Sequence, residues 1–89
     1  MSLDNGIETK VLTKIYPNPT NGKAKLIVEG LNSEADVLVY DMIGRVIQKY
    51  KINKGKYELD IDLIGYSKGI YTIRIVNDII NNTTKLIVQ

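Results

Sequence analysis

One stretch of the chain decides its fold class: Lys68-Gly69-Ile70-Tyr71-Thr72-Ile73-Arg74-Ile75-Val76. After Gly69, the apolar side chains of Tyr71, Ile73 and Ile75 alternate with polar ones. This period of two, carried by aromatic and β-branched residues, predicts a strand with one buried face. Val76 is apolar as well, so we expect the second face to be partly covered near the end of the strand. Such a strand should lie inside a sheet rather than at its edge.

The rest of the chain supplies about six further strands with the same alternation. Turn residues separate them: Asn21-Gly22 and Gly44 tolerate a positive φ, while Pro17 and Pro19 remove ladder donors. No segment holds apolar residues at helical spacing over three turns. We therefore predict an all-β fold, an immunoglobulin-like antiparallel β-sandwich of about seven strands. The further predicted strands span residues 11–16, 23–30, 35–41, 45–52, 57–63 and 83–89.

The alternation also makes expectations about individual side chains. The third strand is apolar on both faces, which predicts a central strand buried on both sides. The fourth strand is expected to turn Val46 towards the core, and Leu31 is expected to lie in the loop after the second strand. The Gly-x-Tyr sequence at Tyr71 is typical of the corner of immunoglobulin-like sandwiches. We expect the Tyr71 hydroxyl to donate a hydrogen bond to the backbone of residues 63–67.

Length and composition indicate a single ordered domain. The chain has 89 residues, of which 44% are hydrophobic, enough for one small core. Residues 1–10 are expected to form a lead-in segment, because they are largely polar and contain Asn5-Gly6. Residues 11–89 are then the domain itself. No apolar run approaches the roughly 20 residues that a bilayer-spanning helix needs, so we expect no membrane insertion.

The residue types argue against catalysis, a metal centre and nucleic-acid binding. The chain contains no His and no Cys, which removes the usual general base and the commonest imidazole and thiolate ligands. We therefore expect no catalytic residues, no bound metal and no cofactor. A net charge of +2 is too small for the dense basic face that nucleic-acid binding usually demands.

Two groups of charged residues leave alternatives open. Glu58, Asp60 and Asp62 share one face of a predicted strand, as half of a calcium site or an acid/base pair would. A solvated strand face is the favoured interpretation, because calcium needs six or more oxygens. A basic group around the fourth strand could bind an acidic polymer, but protection of an edge strand from further pairing is favoured. Its members are Arg45, Lys49, Lys51, Lys54 and Lys56.

Four blocks of the sequence, in their order and spacing, resemble the C-terminal sorting domain of the type IX (Por) secretion system of Bacteroidetes. The resemblance covers residues 11–89, nearly the whole chain. Four ordered blocks are a specific signal, whereas turn prolines or Gly-x-Tyr alone occur in many sandwiches. The blocks are Ile15-Tyr16-Pro17-Asn18-Pro19-Thr20-Asn21-Gly22, Val39-Tyr40-Asp41-Met42-Ile43-Gly44-Arg45-Val46, Asp62-Leu63 with Ser67-Lys68-Gly69-Ile70-Tyr71-Thr72-Ile73-Arg74-Ile75, and Lys85-Leu86-Ile87-Val88-Gln89.

The resemblance implies an export module rather than a catalyst. In that family the domain follows an N-terminal cargo, which crosses the inner membrane by a signal peptide and the outer membrane in folded form. The expected partners are the type IX outer-membrane translocon and a surface sortase. The sortase commonly removes the domain and joins the cargo to anionic lipopolysaccharide, although some cargo is released. The expected location is secreted or at the cell surface, reached through the periplasm, with cleavage near or before Val11.

On this resemblance, three groups of residues are candidates for recognition by the translocon and the sortase. The first is the turn at Gly44-Arg45, and the second is the corner at Ser67-Lys68-Gly69. The third is the last strand, which contributes Lys85, Leu86, Ile87, Val88 and Gln89.

A second hypothesis stays open, namely an immunoglobulin-like adhesion or carbohydrate-binding module of a larger secreted enzyme. A sorting signal should end its native protein, whereas a binding module can lie anywhere in it. A binding module should also show exposed aromatic side chains on a sheet face. Most tyrosines are predicted to point inward, with Tyr16 and Tyr66 as the two exceptions.

Overall fold

A computed structural model describes residues 11–89, which form seven β-strands and no helix. This part of the chain accordingly holds no helical segment suited to crossing a membrane. The predicted lead-in, residues 1–10, lies outside the described residues. The strands are β1 (Leu12–Tyr16), β2 (Lys23–Leu31), β3 (Ala35–Tyr40), β4 (Val46–Ile52), β5 (Gly55–Asp62), β6 (Gly69–Val76) and β7 (Asn81–Val88).

The strands form two antiparallel sheets that pack as a sandwich, which confirms the predicted fold class. One sheet has the order β1-β2-β5 and the other has the order β4-β3-β6-β7. In a constant-type immunoglobulin domain the fourth strand joins the sheet of the first, second and fifth strands. Here β4 pairs with β3 instead. The strand that decides the fold, β6, lies between β3 and β7, so its interior position in the sheet is confirmed.

The core lies between the sheets and is built from alternate residues of the strands. β6 contributes Tyr71, Ile73 and Ile75, all buried as the alternation predicts. Tyr57 and Leu59 also face the core but are only partly buried, because β5 is an edge strand. The largest fully buried side chains come from both sheets and include Leu26, Ile52, Ile61, Leu63, Ile73, Ile75 and Leu86.

A β-bulge in β4 overturns one prediction. The register between β3 and β4 shifts between Val39 and Tyr40, and Ile47 is the extra residue. A bulge shifts the alternation of side chains by one residue between its two sides. Val46, directly before Ile47, is therefore exposed, while Ile47 packs against the core. The prediction that Val46 faces the core is therefore wrong.

Three smaller differences also have local causes. Leu31 does not lie in a loop: it ends β2 and is buried, after a register shift between Val28 and Leu31. β3 is central as predicted, but its outward side chains, Leu38 and Tyr40, are half-buried rather than buried. Within residues 11–89, no second layer covers that face. β7 begins at Asn81, two residues earlier than predicted, because it pairs with the whole of β6.

The tyrosine corner is confirmed. The hydroxyl of Tyr71 donates to the carbonyl of Ser67, within the expected stretch of backbone. The ring of Tyr71 is buried in the core, so this bond ties the loop before β6 to the packed layer.

Replacing Tyr71 by Phe should keep the ring packing and remove this hydrogen bond. We expect Tyr71→Phe to lower the free energy of unfolding by about 1 kcal/mol, the net contribution of a typical hydrogen bond. Urea unfolding would measure the change, with Tyr16→Phe as the control, because the exposed Tyr16 hydroxyl has no such partner within residues 11–89. Equal midpoints for both variants would show that the corner bond does not stabilise the fold.

Candidate recognition surface

The four sequence blocks meet at one end of the sandwich, which is called the motif end below. It comprises the loops 17–22, 41–45 and 63–68 together with the end of β7. The opposite end, called the lead-in end, contains Val11 and the loops 32–34, 53–54 and 77–80. The fold therefore gathers stretches that are far apart in the sequence.

Close contacts join the elements of the motif end. The amide of Leu63 donates to the carbonyl of Gly22 over 2.7 Å. A Cβ atom placed on Gly69 would lie 2.8 Å from Met42 Sδ, so a larger residue would displace Met42 from the corner. Gly69 is also paired with Val88 across β6 and β7. The structure thus brings together the turn, the corner and the last strand that the resemblance singles out.

The carboxylate of Asp41 holds the turn between β3 and β4. Its Oδ1 accepts hydrogen bonds from the amides of Ile43 at 3.0 Å and Arg45 at 2.9 Å, and its Oδ2 accepts one from Arg45 Nε at 2.8 Å. The bond from the Arg45 amide is the largest cause that lowers the pKa of the Asp41 carboxyl. Gly44 completes the turn at a φ of +88°, which favours glycine. Although the Arg45 side chain is exposed, it is bound to Asp41 within the turn.

The candidate residues of the last strand divide into two sets. Leu86 and Val88 are buried in the core, so they affect recognition only through the fold. Lys85, Ile87 and Gln89 are exposed. Lys68 in the corner is exposed as well. These four outward residues are available for contact with a partner.

The turn between β1 and β2 covers the outer edge of β7, a contact that sequence reasoning missed. The Thr20 amide donates to Ile87 O at 2.8 Å, and Thr20 O accepts from the Gln89 amide at 2.9 Å. Asn18 Nδ2 donates to Lys85 O at 2.8 Å, and Asn18 Oδ1 accepts from the Ile87 amide at 2.9 Å. The Asn18 amide thus takes the place of a neighbouring peptide group. The proline pattern signals a rigid turn but not its distant partner.

The motif end also exposes large apolar side chains. Ile43 is 75% exposed and Met42 is 64% exposed, at the tip of the β3–β4 turn. Among the exposed large apolar residues of the described chain, only Leu12 and Ile79 lie away from this end. Single exposed apolar residues are normal, but a cluster of them marks an interaction surface. The others are Tyr16, Val46, Ile64, Tyr66, Ile70 and Ile87.

A groove of about 490 Å³ lies beside Tyr16 on the three-stranded sheet. Pro17 lines it together with polar residues, including Lys25 and Asp60. Tyr16 is 51% exposed, as the sequence predicts. Lys25 Nζ lies 3.6 Å from a carboxylate oxygen of Glu58 and 3.9 Å from one of Asp60, so part of the acidic row is paired with a cation. Within residues 11–89 no cluster of possible metal ligands is present.

The predicted basic group lies on the edges of the two sheets. β4 is an edge strand of one sheet and β5 is an edge strand of the other. Lys51 Nζ is 3.5 Å from Asp36 Oδ1, and Lys56 Nζ is 3.7 Å from Glu29 Oε2, so the group is partly neutralised. This arrangement supports edge protection rather than a continuous basic strip.

Comparison with known families gives a match over most of the chain. A family model described as "Secretion system C-terminal sorting domain" matches residues 14–89, a range that includes all four blocks. A comparison with curated proteins found no match.

Removing the Asn18 side chain should loosen the end of β7. We expect Asn18→Ala to lower the free energy of unfolding by about 1 kcal/mol, since the lost bonds are exposed to water. Hydrogen exchange of the Ile87 amide should also become faster. Asn21→Ala is the matched control, because Asn21 is exposed in the same loop and, within residues 11–89, makes no hydrogen bond to β7. Unchanged exchange at Ile87 in Asn18→Ala would contradict this role.

The Asp41 carboxylate should make stability depend on pH. The folded-state pKa of Asp41 lies below the ordinary value of 3.8. Its contribution to the free energy of unfolding is therefore present above that value and is lost as the pH falls through the folded-state pKa. We expect Asp41→Asn to be less stable than the wild type near neutral pH, with a difference that shrinks below pH 3.8. Thermal unfolding of both proteins between neutral and acidic pH would test this. A difference that is constant with pH would contradict it.

Proposed function

This chain belongs to the family of secretion system C-terminal sorting domains, and from that premise we propose that the type IX outer-membrane translocon reads its motif end. As a type IX sorting signal, the domain directs an attached N-terminal cargo across the outer membrane. Its role is recognition rather than chemistry. The observation that carries the proposal is the meeting of all four sequence blocks at one end of the sandwich.

The exposed side chains of the motif end are the ones that we assign to recognition. Lys68, Lys85, Ile87 and Gln89 point outward, whereas Leu86 and Val88 support them from the core. The turn at Gly44-Arg45 contributes a fixed shape, because Asp41 binds the Arg45 side chain. Recognition then depends on a folded domain as well as on individual residues.

We further propose that a surface sortase removes the domain and anchors the cargo at the cell surface. Val11 lies at the lead-in end, and β1 runs from there to the motif end. A cut near or before Val11 would therefore fall at the end of the sandwich opposite the recognition residues. The translocon and the sortase could then engage different ends of one domain. The resulting location is secreted or at the cell surface, by way of the periplasm.

The groove beside Tyr16 favours a second candidate function, carbohydrate binding. An exposed aromatic ring next to polar side chains such as Asp60 is the arrangement that a sugar-binding module uses. Titration of the purified chain with a panel of oligosaccharides would test it. Binding that Tyr16→Ala abolishes and Tyr66→Ala preserves would support this function.

Export of a reporter tests the main proposal. We expect the 89-residue chain, appended to a periplasmic reporter, to move the reporter outside a type IX-secreting bacterium, while the reporter alone stays in the periplasm. Deletion of residues 85–89 should abolish export, because it removes Leu86 and Val88 from the core and leaves the β6 edge unpaired. Cell fractionation and immunoblotting would measure the exported fraction.

The same strain supplies the controls for this experiment. Its own cargo must be exported normally, and a translocon-deficient strain must retain the fusion. A full-length fusion that stays periplasmic in the export-competent strain would contradict the sorting function.

A further inference from the structure

The outer face of the four-stranded sheet carries an apolar patch at the motif end. Ile70 of β6 is directly opposite Ile87 of β7, and both point away from the core. Tyr40 of β3 is paired with Val46 of β4, which the bulge turns to the same outer face. Ile70, Ile87 and Val46 are each between 41% and 51% exposed. Each of the four strands thus contributes one apolar side chain to this end of the outer face, with Thr72 between Tyr40 and Lys85. Val46, Tyr40, Ile70 and Ile87 are called the outer-face patch below.

Two lysines frame the outer-face patch. Lys85 is two residues before Ile87 on β7, and Lys68 is two residues before Ile70, just ahead of β6. Because side chains two apart in an extended strand share a face, the Lys85 ammonium lies on the same side as Ile87. Lys68 is exposed in the bend directly before β6. Within residues 11–89 neither lysine takes part in an ion pair. The charge around the patch is therefore positive and uncompensated.

The acidic residues near this end do not neutralise these lysines. Asp41 is bound to Arg45 at 2.8 Å. Asp62 Oδ1 accepts a hydrogen bond from the amide of Ile64 at 2.9 Å and lies on the other sheet. A partner that covers the patch must supply the missing negative charge itself.

We propose that the outer-face patch docks on a protein of the export machinery whose contact surface is apolar at its centre and carries carboxylates at its rim. The inference rests on the proposed function and adds the chemistry of the partner. Ile70, Ile87 and Val46 supply the apolar centre, and Lys68 and Lys85 supply the cationic rim. This division matches protein interfaces, in which charge is depleted at the centre and steers association at the edge.

The same charges argue against a second copy of this chain as the occupant. Two copies joined through this patch would bring four lysines together, and like charges across an interface oppose association. A lipid surface fits less well too. The isoleucines lie on a sheet face and are each less than half exposed, so they are poorly placed to enter a bilayer. A protein surface of complementary shape can contact them where they are.

Two paired variants of the reporter fusion separate the apolar and the charged parts of the patch. We expect Ile70→Ser/Ile87→Ser, and separately Lys68→Glu/Lys85→Glu, to lower the exported fraction by about tenfold or more, as loss of an interface centre or like-charge contact would. The matched controls are Leu12→Ser/Ile79→Ser and Lys14→Glu/Lys54→Glu, which change exposed residues of the same types away from the patch. The controls should be exported like the wild type, and all variants should unfold at wild-type midpoints.

Carbodiimide crosslinking in the exporting cells identifies the chemistry of the partner. This reagent joins a lysine amine directly to a carboxylate that it contacts. We expect mass spectrometry to find Lys68 or Lys85 of the fusion joined to Asp or Glu of another protein. The adduct should be absent in Lys68→Arg/Lys85→Arg, which retains the charge and removes the amine.

Different failures have different meanings. A wild-type fusion that is not exported contradicts the proposed function itself. If the wild type is exported and both patch variants are exported equally well, only the docking surface is overturned. Adducts solely between two copies of the fusion would assign the patch to self-association. Flotation of the purified fusion with phosphatidylglycerol vesicles, lost in Ile70→Ser/Ile87→Ser, would assign it to a membrane surface; either result overturns the proposal.

Discussion

The pairing of the last strand on both of its edges is the interaction on which the motif end depends. β7 pairs with β6 along its whole length, and its other edge binds Thr20 and the side chain of Asn18. Without the second contact, β7 would end the sheet as an open edge that could pair with other chains. The turn between β1 and β2 thereby connects one sheet to the final strand of the other. Residues nearly seventy positions apart in the chain are joined by these bonds.

The sequence predicts the strands and their faces wherever the alternation is regular. Tyr71, Ile73 and Ile75 lie in the core as expected. β6 is paired on both edges, so it cannot rotate about its own axis and its alternate side chains keep to one face. The prediction fails for Val46, since a bulge adds one residue to β4 and depends on its fit to β3 rather than on its own sequence. The number of strands follows from local patterns. Whether β4 pairs with β3 or joins the sheet that contains β5 depends on contacts across the whole molecule.

The candidate site is predictable in its parts but not in its assembly. Glycine and the corner tyrosine indicate the turn and the loop before β6, since few other residues suit those positions. That Gly69 lies against Met42 and pairs with Val88 cannot be read from a single strand. The ion pair between Arg45 and Asp41 cannot be read from a single strand either. It removes one cation from the set available for binding a partner. Within residues 11–89, the finding that Lys68 and Lys85 form no ion pair likewise comes only from the folded structure.

The two ends of the sandwich suit different tasks in an export signal. β1 enters at the lead-in end and β7 finishes at the motif end, and a strand of eight residues such as β7 spans about 27 Å. An attached cargo would therefore begin at the end farthest from the outer-face patch. A folded cargo of any size could then vary without covering the surface that we propose the export machinery to read. This separation follows from the number of strands. Seven antiparallel strands cross the sandwich an odd number of times, so the first strand begins at one end and the last strand finishes at the other.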